Sequence, residues 1–370
     1  MRGKFHRFGI AAASVLLCAA VSIVAGIPAS ATQAATPAGW PAVACPQGPH
    51  VTGVFYAQAS APLPDGGTAY FYCINGTEAR IPVPPADFDL TTATEAQLNE
   101  YGIPSDAVLF ARQAVARTPM GLATGIAGSA SSAPSLTVLP DYASTSSTSQ
   151  NWSGYEATPA TSKHWVAVQG SLTEPSELTP SPSLNCSPTN RTLASWVGLG
   201  GTNGGSLIQT GTYDLNGAYG AFYEYINANS TSDSGMVQLP NVRVRAGDAI
   251  FEEVSYQSAN ALANFYVQDA TSGTSQSVQV SLSSPYFDGS HAEWIDERTR
   301  SGTAYNPLLD YGSDHWTGAE AENDSGTWIY AGNATGTIAD TMVAGDTKDT
   351  LSRPGTLSTS SFTDTWVNCH

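Results

Sequence analysis

From Asn151 onward, short runs rich in Val, Tyr, Trp, Thr and Ile recur at regular spacing, each broken by Gly, Asn, Asp or Ser. Examples are Trp165–Gln169, Ala194–Leu199, Ala221–Tyr225, Val242–Arg245, Ala249–Tyr256, Phe265–Asp269, Val278–Leu282 and Glu293–Ile295. Nothing between them has a helical period. Many strands without intervening helices predict an all-β fold, an antiparallel β-sandwich of two packed sheets, concanavalin-like, over residues 150–370.

The chain before this region is patterned differently. Over residues 32–118, Val51–Tyr56 and Thr68–Ile74 read as short strands, and Pro64-Asp65-Gly66-Gly67 between them is a hairpin signal. A helix is predicted over Thr94–Tyr101, opened by the Thr cap and stopped by Gly102 and Pro104. A second runs over Asp106–Arg117 and stops before Pro119. A small α+β unit ahead of the sandwich is expected to be an inhibitory pro-segment, with an independent binding module as the alternative. Residues 119–149, rich in Ser, Ala, Thr and Gly, are expected to be a flexible, protease-accessible linker where maturation cleavage falls.

Residues 1–31 carry the marks of an export signal. Arg2, Lys4 and Arg7 precede the apolar run Ile10–Val24, and Ala29-Ser30-Ala31 is a small-residue cleavage site. The run is short for a bilayer span of roughly 20 residues, so no membrane association is expected after signal removal. Four cysteines then remain, Cys45, Cys73, Cys186 and Cys369. An even number in an exported chain suggests two disulfides. Of three possible pairings, Cys45–Cys73 and Cys186–Cys369 keep each bridge within one unit.

The 14 basic and 31 acidic residues give a formal charge of −17, which excludes nucleic acid as a partner because phosphate binding needs a positive surface. With only 12% of residues charged, such a surface loses most of its negative charge in acid, which is compatible with an acid environment.

Five motifs occur in order: Asn151-Trp152-Ser153-Gly154-Tyr155, Ser195-Trp196-Val197-Gly198-Leu199-Gly200-Gly201, Leu207-Ile208-Gln209-Thr210-Gly211, Tyr219 to Tyr225, and Ala292-Glu293-Trp294-Ile295-Asp296-Glu297. In this order the set resembles the glutamic peptidases, or eqolisins, of the secreted bacterial type, over a stretch reaching Tyr311-Gly312-Ser313. The resemblance implies a β-sandwich acid endopeptidase with catalytic Gln209 and Glu293. It also implies a cleft helped by Trp152, Phe222 and Glu224. Some members carry Asp where this chain has Gly200 and Tyr213.

The chemistry is coherent. A glutamate can take a proton from water and pass it to the leaving amine, while a glutamine amide can donate to the developing oxyanion at any pH. A histidine base would already be protonated in strong acid. Neither a metal nor a cofactor is called for. Polypeptides are the expected partners, and a monomer is expected. A carbohydrate-binding or glycoside-cleaving sandwich is the alternative. Against it, Glu293 and Glu297 share a strand face about 13 Å apart, at ~3.3 Å per residue. Glycosidase carboxyls lie at most about 9.5 Å apart. Asp233-Ser234-Gly235 and Asp324-Ser325-Gly326 mimic pepsin-like loops but sit in turn-like company, and His291 is expected beside the site without a catalytic role.

Overall fold

The computed structural model describes residues 40–41, 59–74, 77–117, 145–202, 205–227, 234–282, 289–301, 303–346 and 348–369. The expected export signal, Cys45, Val51–Tyr56, Asp233 and most of the expected linker lie outside these residues. No helix among the described residues is long and apolar enough to cross a membrane.

The N-terminal unit starts with β1 (Ala59–Pro62) and β2 (Thr68–Ile74), paired antiparallel across the expected Pro64–Gly67 turn. Gly66 adopts φ 95° there, and Leu63 N–H donates to Gly67 O at 2.8 Å. Strand β3 (Thr77–Val83) follows, then helices α1 (Glu95–Tyr101) and α2 (Ser105–Arg117). Helix α1 begins as the sequence predicts. Thr94 Oγ1 accepts from Gln97 N–H at 3.3 Å while Gln97 Oε1 accepts from Thr94 N–H at 3.0 Å, a reciprocal cap worth about 1 kcal/mol. Gly102, at φ 62°, ends it.

The sandwich begins within the expected linker, since Thr145–Ser149 forms β4. It continues through β5 (Trp152–Thr158), β6 (Trp165–Thr173), β7 (Thr192–Gly200), β8 (Leu207–Leu215), β9 (Tyr219–Ile226) and β10 (Val237–Gln238). Next come β11 (Ala249–Gln257), β12 (Leu262–Asp269), β13 (Thr274–Ser281) and β14 (Ala292–Glu297), then the small β15 (Arg300–Ser301) and β16 (Ala304–Tyr305) pair. Strands β17 (Ser313–Asn323), β18 (Trp328–Tyr330), β19 (Gly336–Val343), β20 (Thr350–Pro354) and β21 (Phe362–Trp366) complete it. Val242–Arg245 forms no strand. Its backbone is held instead by side chains, Asn241 N–H donating to Gln276 Oε1 and Arg243 N–H to Thr274 Oγ1, both at 3.0 Å.

One layer runs β10–β9–β8–β7–β14–β5–β19, with β4, β20 and β21 beyond. The other runs β1–β2–β3–β13–β12–β11–β6–β17–β18. Strand β17 belongs to both: Ser313–Trp316 pair with β21, and Thr317–Asn323 pair with β6. Because strand residues alternate faces, Val197, Leu199, Ile208, Tyr223 and Trp294 of the first layer meet Val168, Ile250, Val254, Phe265 and Val280 of the second. Each such buried side chain contributes roughly 1.5–3 kcal/mol. Two indoles of this core have their N–H groups satisfied, Trp294 donating to Gln169 O at 2.7 Å and Trp165 to Ala157 O at 2.8 Å.

Cys186 and Cys369 form a disulfide, their Cα atoms 5.7 Å apart. Cys73 is also disulfide-bonded. Asp324-Ser325-Gly326 is the turn between β17 and β18, with Gly326 at φ 76°.

Candidate active site

The same alternation places a second set of side chains on the outer face of the first layer. Gln209 on β8 faces Glu224 on β9 and Gly198 on β7, and Gly198 in turn faces Glu293 on β14. Two residues along, Gly211, Phe222, Trp196 and Ile295 form the next row. Glycine is required in that row. A Cβ at Gly211 would sit 2.2 Å from Ser195 O and 2.7 Å from Trp196 Cα, so the Leu-Gln-Thr-Gly motif needs its Gly for β8 to approach β7. Trp196, Phe222, Leu207, Tyr213 and Ile295 pack together as an apolar floor.

Above this floor lies an open cleft of about 1030 Å³ lined by Trp152, Gln209, Phe222, Glu224 and Glu297, among others. Gln209 Nε2 donates to Glu224 Oε2 at 2.8 Å. Glu297 is held by two donors, Asn151 Nδ2 to Oε1 at 2.7 Å and Trp196 Nε1 to Oε2 at 2.9 Å. Burial pushes its pKa up to about 7. The Asn151 bond draws it down, the Glu224 carboxyl raises it, and the Trp196 bond lowers it. Trp152 meets Trp196 edge to face at 5.2 Å.

The sequence-based set is thus gathered with one exception. Gln209, Trp152, Phe222 and Glu224 share the cleft, but Glu293 is 0% exposed and does not line it. A Cβ on Gly198 would lie 3.1 Å from Glu293 Oε2 and 2.6 Å from Trp196 Cζ3. The indole therefore reaches toward Glu293 with its carbon edge and toward Glu297 with its nitrogen. On its other side Glu293 pairs in register with Glu156, whose carboxyl accepts from Thr202 Oγ1 at 3.1 Å. Glu156 is pushed up to about 8 by burial and by neighbouring Asp340. The β14 carboxyl open to the cleft is Glu297, two steps of the strand alternation further along. Asn151 and Trp196, which hold it, lie in motifs already singled out but with no role read for them.

Gly200 has φ 95°, a conformation that strains other residues, and Tyr213 sits in the floor. His291 Nδ1 lies 3.0 Å from Ser290 Oγ and does not line the cleft. Among the described residues no group of His, Cys, Asp and Glu could hold a metal ion.

Fold and site together define a two-layer β-protein with a carboxyl and a carboxamide on the open outer face of one layer. The model of the peptidase A4 family matches residues 150–367, and the chain belongs to that family; it is a peptide-bond hydrolase. Among solved structures the chain is similar to scytalido-glutamic peptidase bound to a peptide-based transition state analog. There the identity is 17%, coverage 59% of this chain and 98% of that one, and TM-score 0.48. It is also similar to aspergilloglutamic peptidase from Aspergillus niger, at 25% identity, 48% and 99% coverage and TM-score 0.41. No curated protein matches. The family is one of peptidases, which sets aside the carbohydrate-active alternative.

Proposed function

We propose that the protein is a secreted endopeptidase in which Glu297 serves as base and then acid, and Gln209 as oxyanion donor. One observation carries this reading: Gln209 and Glu297 face the same open cleft, each fixed by a neighbour, while Glu293 is sealed away from it.

Peptide hydrolysis here needs one proton circuit. Ionised Glu297 takes a proton from a water that attacks the scissile carbonyl carbon. Charge builds on the carbonyl oxygen, where a Gln209 N–H donates. The amide has two N–H bonds, so one can hold Glu224 while the other serves the oxyanion. As the C–N bond breaks, Glu297 returns its proton to the leaving nitrogen, and the carboxylate is restored. Trp152 and Phe222 offer apolar contact to an extended polypeptide lying across the sheet. Export is supported by the basic start, apolar run and small-residue site over residues 1–31, and by the disulfides. The chain acts as a monomer on polypeptides, without a metal or cofactor.

The test compares hydrolysis of a denatured protein by Gln209→Ala, Glu297→Gln and Glu293→Gln between pH 3 and neutrality. Gln209→Ala should lose about 10²–10³ in kcat and Glu297→Gln about 10²–10⁴. Glu293→Gln should keep its rate within a few-fold. An inactive Glu293→Gln beside a fully active Glu297→Gln, both folded, would refute the assignment.

A further inference from the structure

The unit ahead of the family's span reads in sequence as a removable inhibitor, yet its packing has the character of a core. Among the described residues, none of 59–117 lines the cleft. This stretch lies instead against the second layer, on the face carrying Phe251, Tyr266, Asn264 and Gln279, across the sandwich from Gln209 and Glu297.

Three kinds of contact fix it there. Strand β3 extends the sheet, Ala79 pairing with Val280 and Arg80 with Gln279. Polar groups then cross the boundary. Arg80 Nη1 donates to Gln279 Oε1 at 2.7 Å, Asn264 Nδ2 to Gly102 O at 3.1 Å, and Gln169 Nε2 to Asp106 Oδ2 at 2.7 Å. Ser277 Oγ also donates to Tyr101 O. Finally, Leu98, Tyr101, Ile103, Ala107 and Val108 of the helical segment form one buried cluster with Phe251 and Tyr266.

The hairpin reaches deeper still. Ile74 and Ala79 belong to the central core between the layers, and Ile74 O accepts from Tyr225 Oη at 3.0 Å. Tyr225 is the neighbour of Glu224 on β9. That strand therefore shows one face to the cleft amide and the other to the N-terminal hairpin. A segment that departs on activation must leave behind a surface suited to water. This one would leave β13 as a bare sheet edge, and it would expose the rings of Phe251 and Tyr266.

We infer that residues 59–117 are a permanent brace of the peptidase, docked on the sheet face opposite the cleft, and that the cleft works with the brace in place. The brace goes beyond the catalytic reading and depends on it only for the activity measurements below. Stability and co-elution test it independently.

The lever is Gly102, at φ 62°, where an added Cβ would lie 2.3 Å from Asn264 Oδ1. Gly102→Ala in the full chain strains the left-handed residue that ends the helix and displaces the Asn264 amide that holds Gly102 O, at a position remote from the cleft. The expected result is a melting temperature lowered by several degrees and a peptidase rate no higher than wild type. An unchanged melting temperature with a severalfold higher rate would mean that an inhibitor had been loosened, and would overturn the inference. Should Gly102→Ala fail to accumulate folded, Arg80→Gln carries the same two readouts with a smaller shift.

A second arm severs the full chain with a site-specific protease at a recognition sequence placed between residues 118 and 144, followed by gel filtration without denaturant. Both fragments should elute together, with a rate per mole within twofold of the uncut protein. A departing N-terminal fragment, with the sandwich keeping its melting temperature, would overturn the brace even if no peptidase activity were ever found.

Discussion

The carboxamide of Gln209 and the carboxyl of Glu224 face each other in register on β8 and β9, joined by a 2.8 Å hydrogen bond. That bond settles which way the amide points, and an amide free to turn would present its oxygen to an oxyanion as often as its nitrogen. Glu224→Ala should therefore lower kcat by roughly tenfold to hundredfold, with a smaller change in KM. Glu224→Gln, which keeps an acceptor, should recover much of the loss. Steady-state kinetics on one peptide decide it; an unchanged kcat in Glu224→Ala would show that the orientation is fixed elsewhere.

The acid limb of kcat/KM should follow the titration of Glu297, whose pKa is pushed up to about 7 chiefly by burial. Two substitutions should move that limb in opposite directions. Glu224→Gln removes a nearby negative charge, so Glu297 ionises more readily and the limb shifts to lower pH. Trp196→Phe removes a donor that favours the ionised form, so the limb shifts to higher pH. Rate–pH profiles of both variants check the pair of signs.

On the inner face of β14, Asp296 accepts from Ser195 Oγ at 2.7 Å, close to Asp314 and Asp364. Burial, with the neighbouring carboxyls, holds Asp296 well above the usual carboxylate range. Burial takes Asp314 up to about 7 and Asp364 up to about 6. In the unfolded chain these groups titrate near 4. Their folded pKa values are raised, so their stabilising contribution is complete below pH ~4 and is lost as pH climbs to about 6–7. The melting temperature should accordingly be highest in acid and fall across that window. Asp314→Asn should flatten the decline. A melting temperature that rises from pH 4 to pH 7 would contradict this account.

The Cys186–Cys369 bridge closes a sequence separation of 183 residues. Cross-links over long loops typically add about 2–5 kcal/mol, largely by restricting the unfolded chain. Replacing both cysteines by serine should lower the denaturant midpoint by a corresponding amount, with the cleft intact. Urea titration of the double variant, beside kinetics at low denaturant, measures the two effects separately.

Much of this molecule is legible in its sequence because strand alternation and capping are local. The α1 cap, the Pro64–Gly67 turn and the strand over Ala249–Tyr256 all follow from neighbouring residues. The choice between Glu293 and Glu297 does not. Both lie on the same face of β14, so alternation treats them alike; what separates them is burial, with Glu293 closed off and Glu297 held at the cleft by Asn151 and Trp196. Val242–Arg245 has strand composition, yet side-chain acceptors from a distant segment hold its backbone, which no local pattern reveals. The N-terminal helices are readable as helices, but the surface they cover is set by Phe251 and Tyr266, far along the chain.

Strand β17 passes from one sheet to the other between Trp316 and Thr317, with Gly318 at φ 63° just beyond the crossing. A single thread stitched through both layers keeps them from parting like the covers of a book. Any widening of the groove to admit a bulky polypeptide is left to its far margin, where the two-residue β10 ends the sheet.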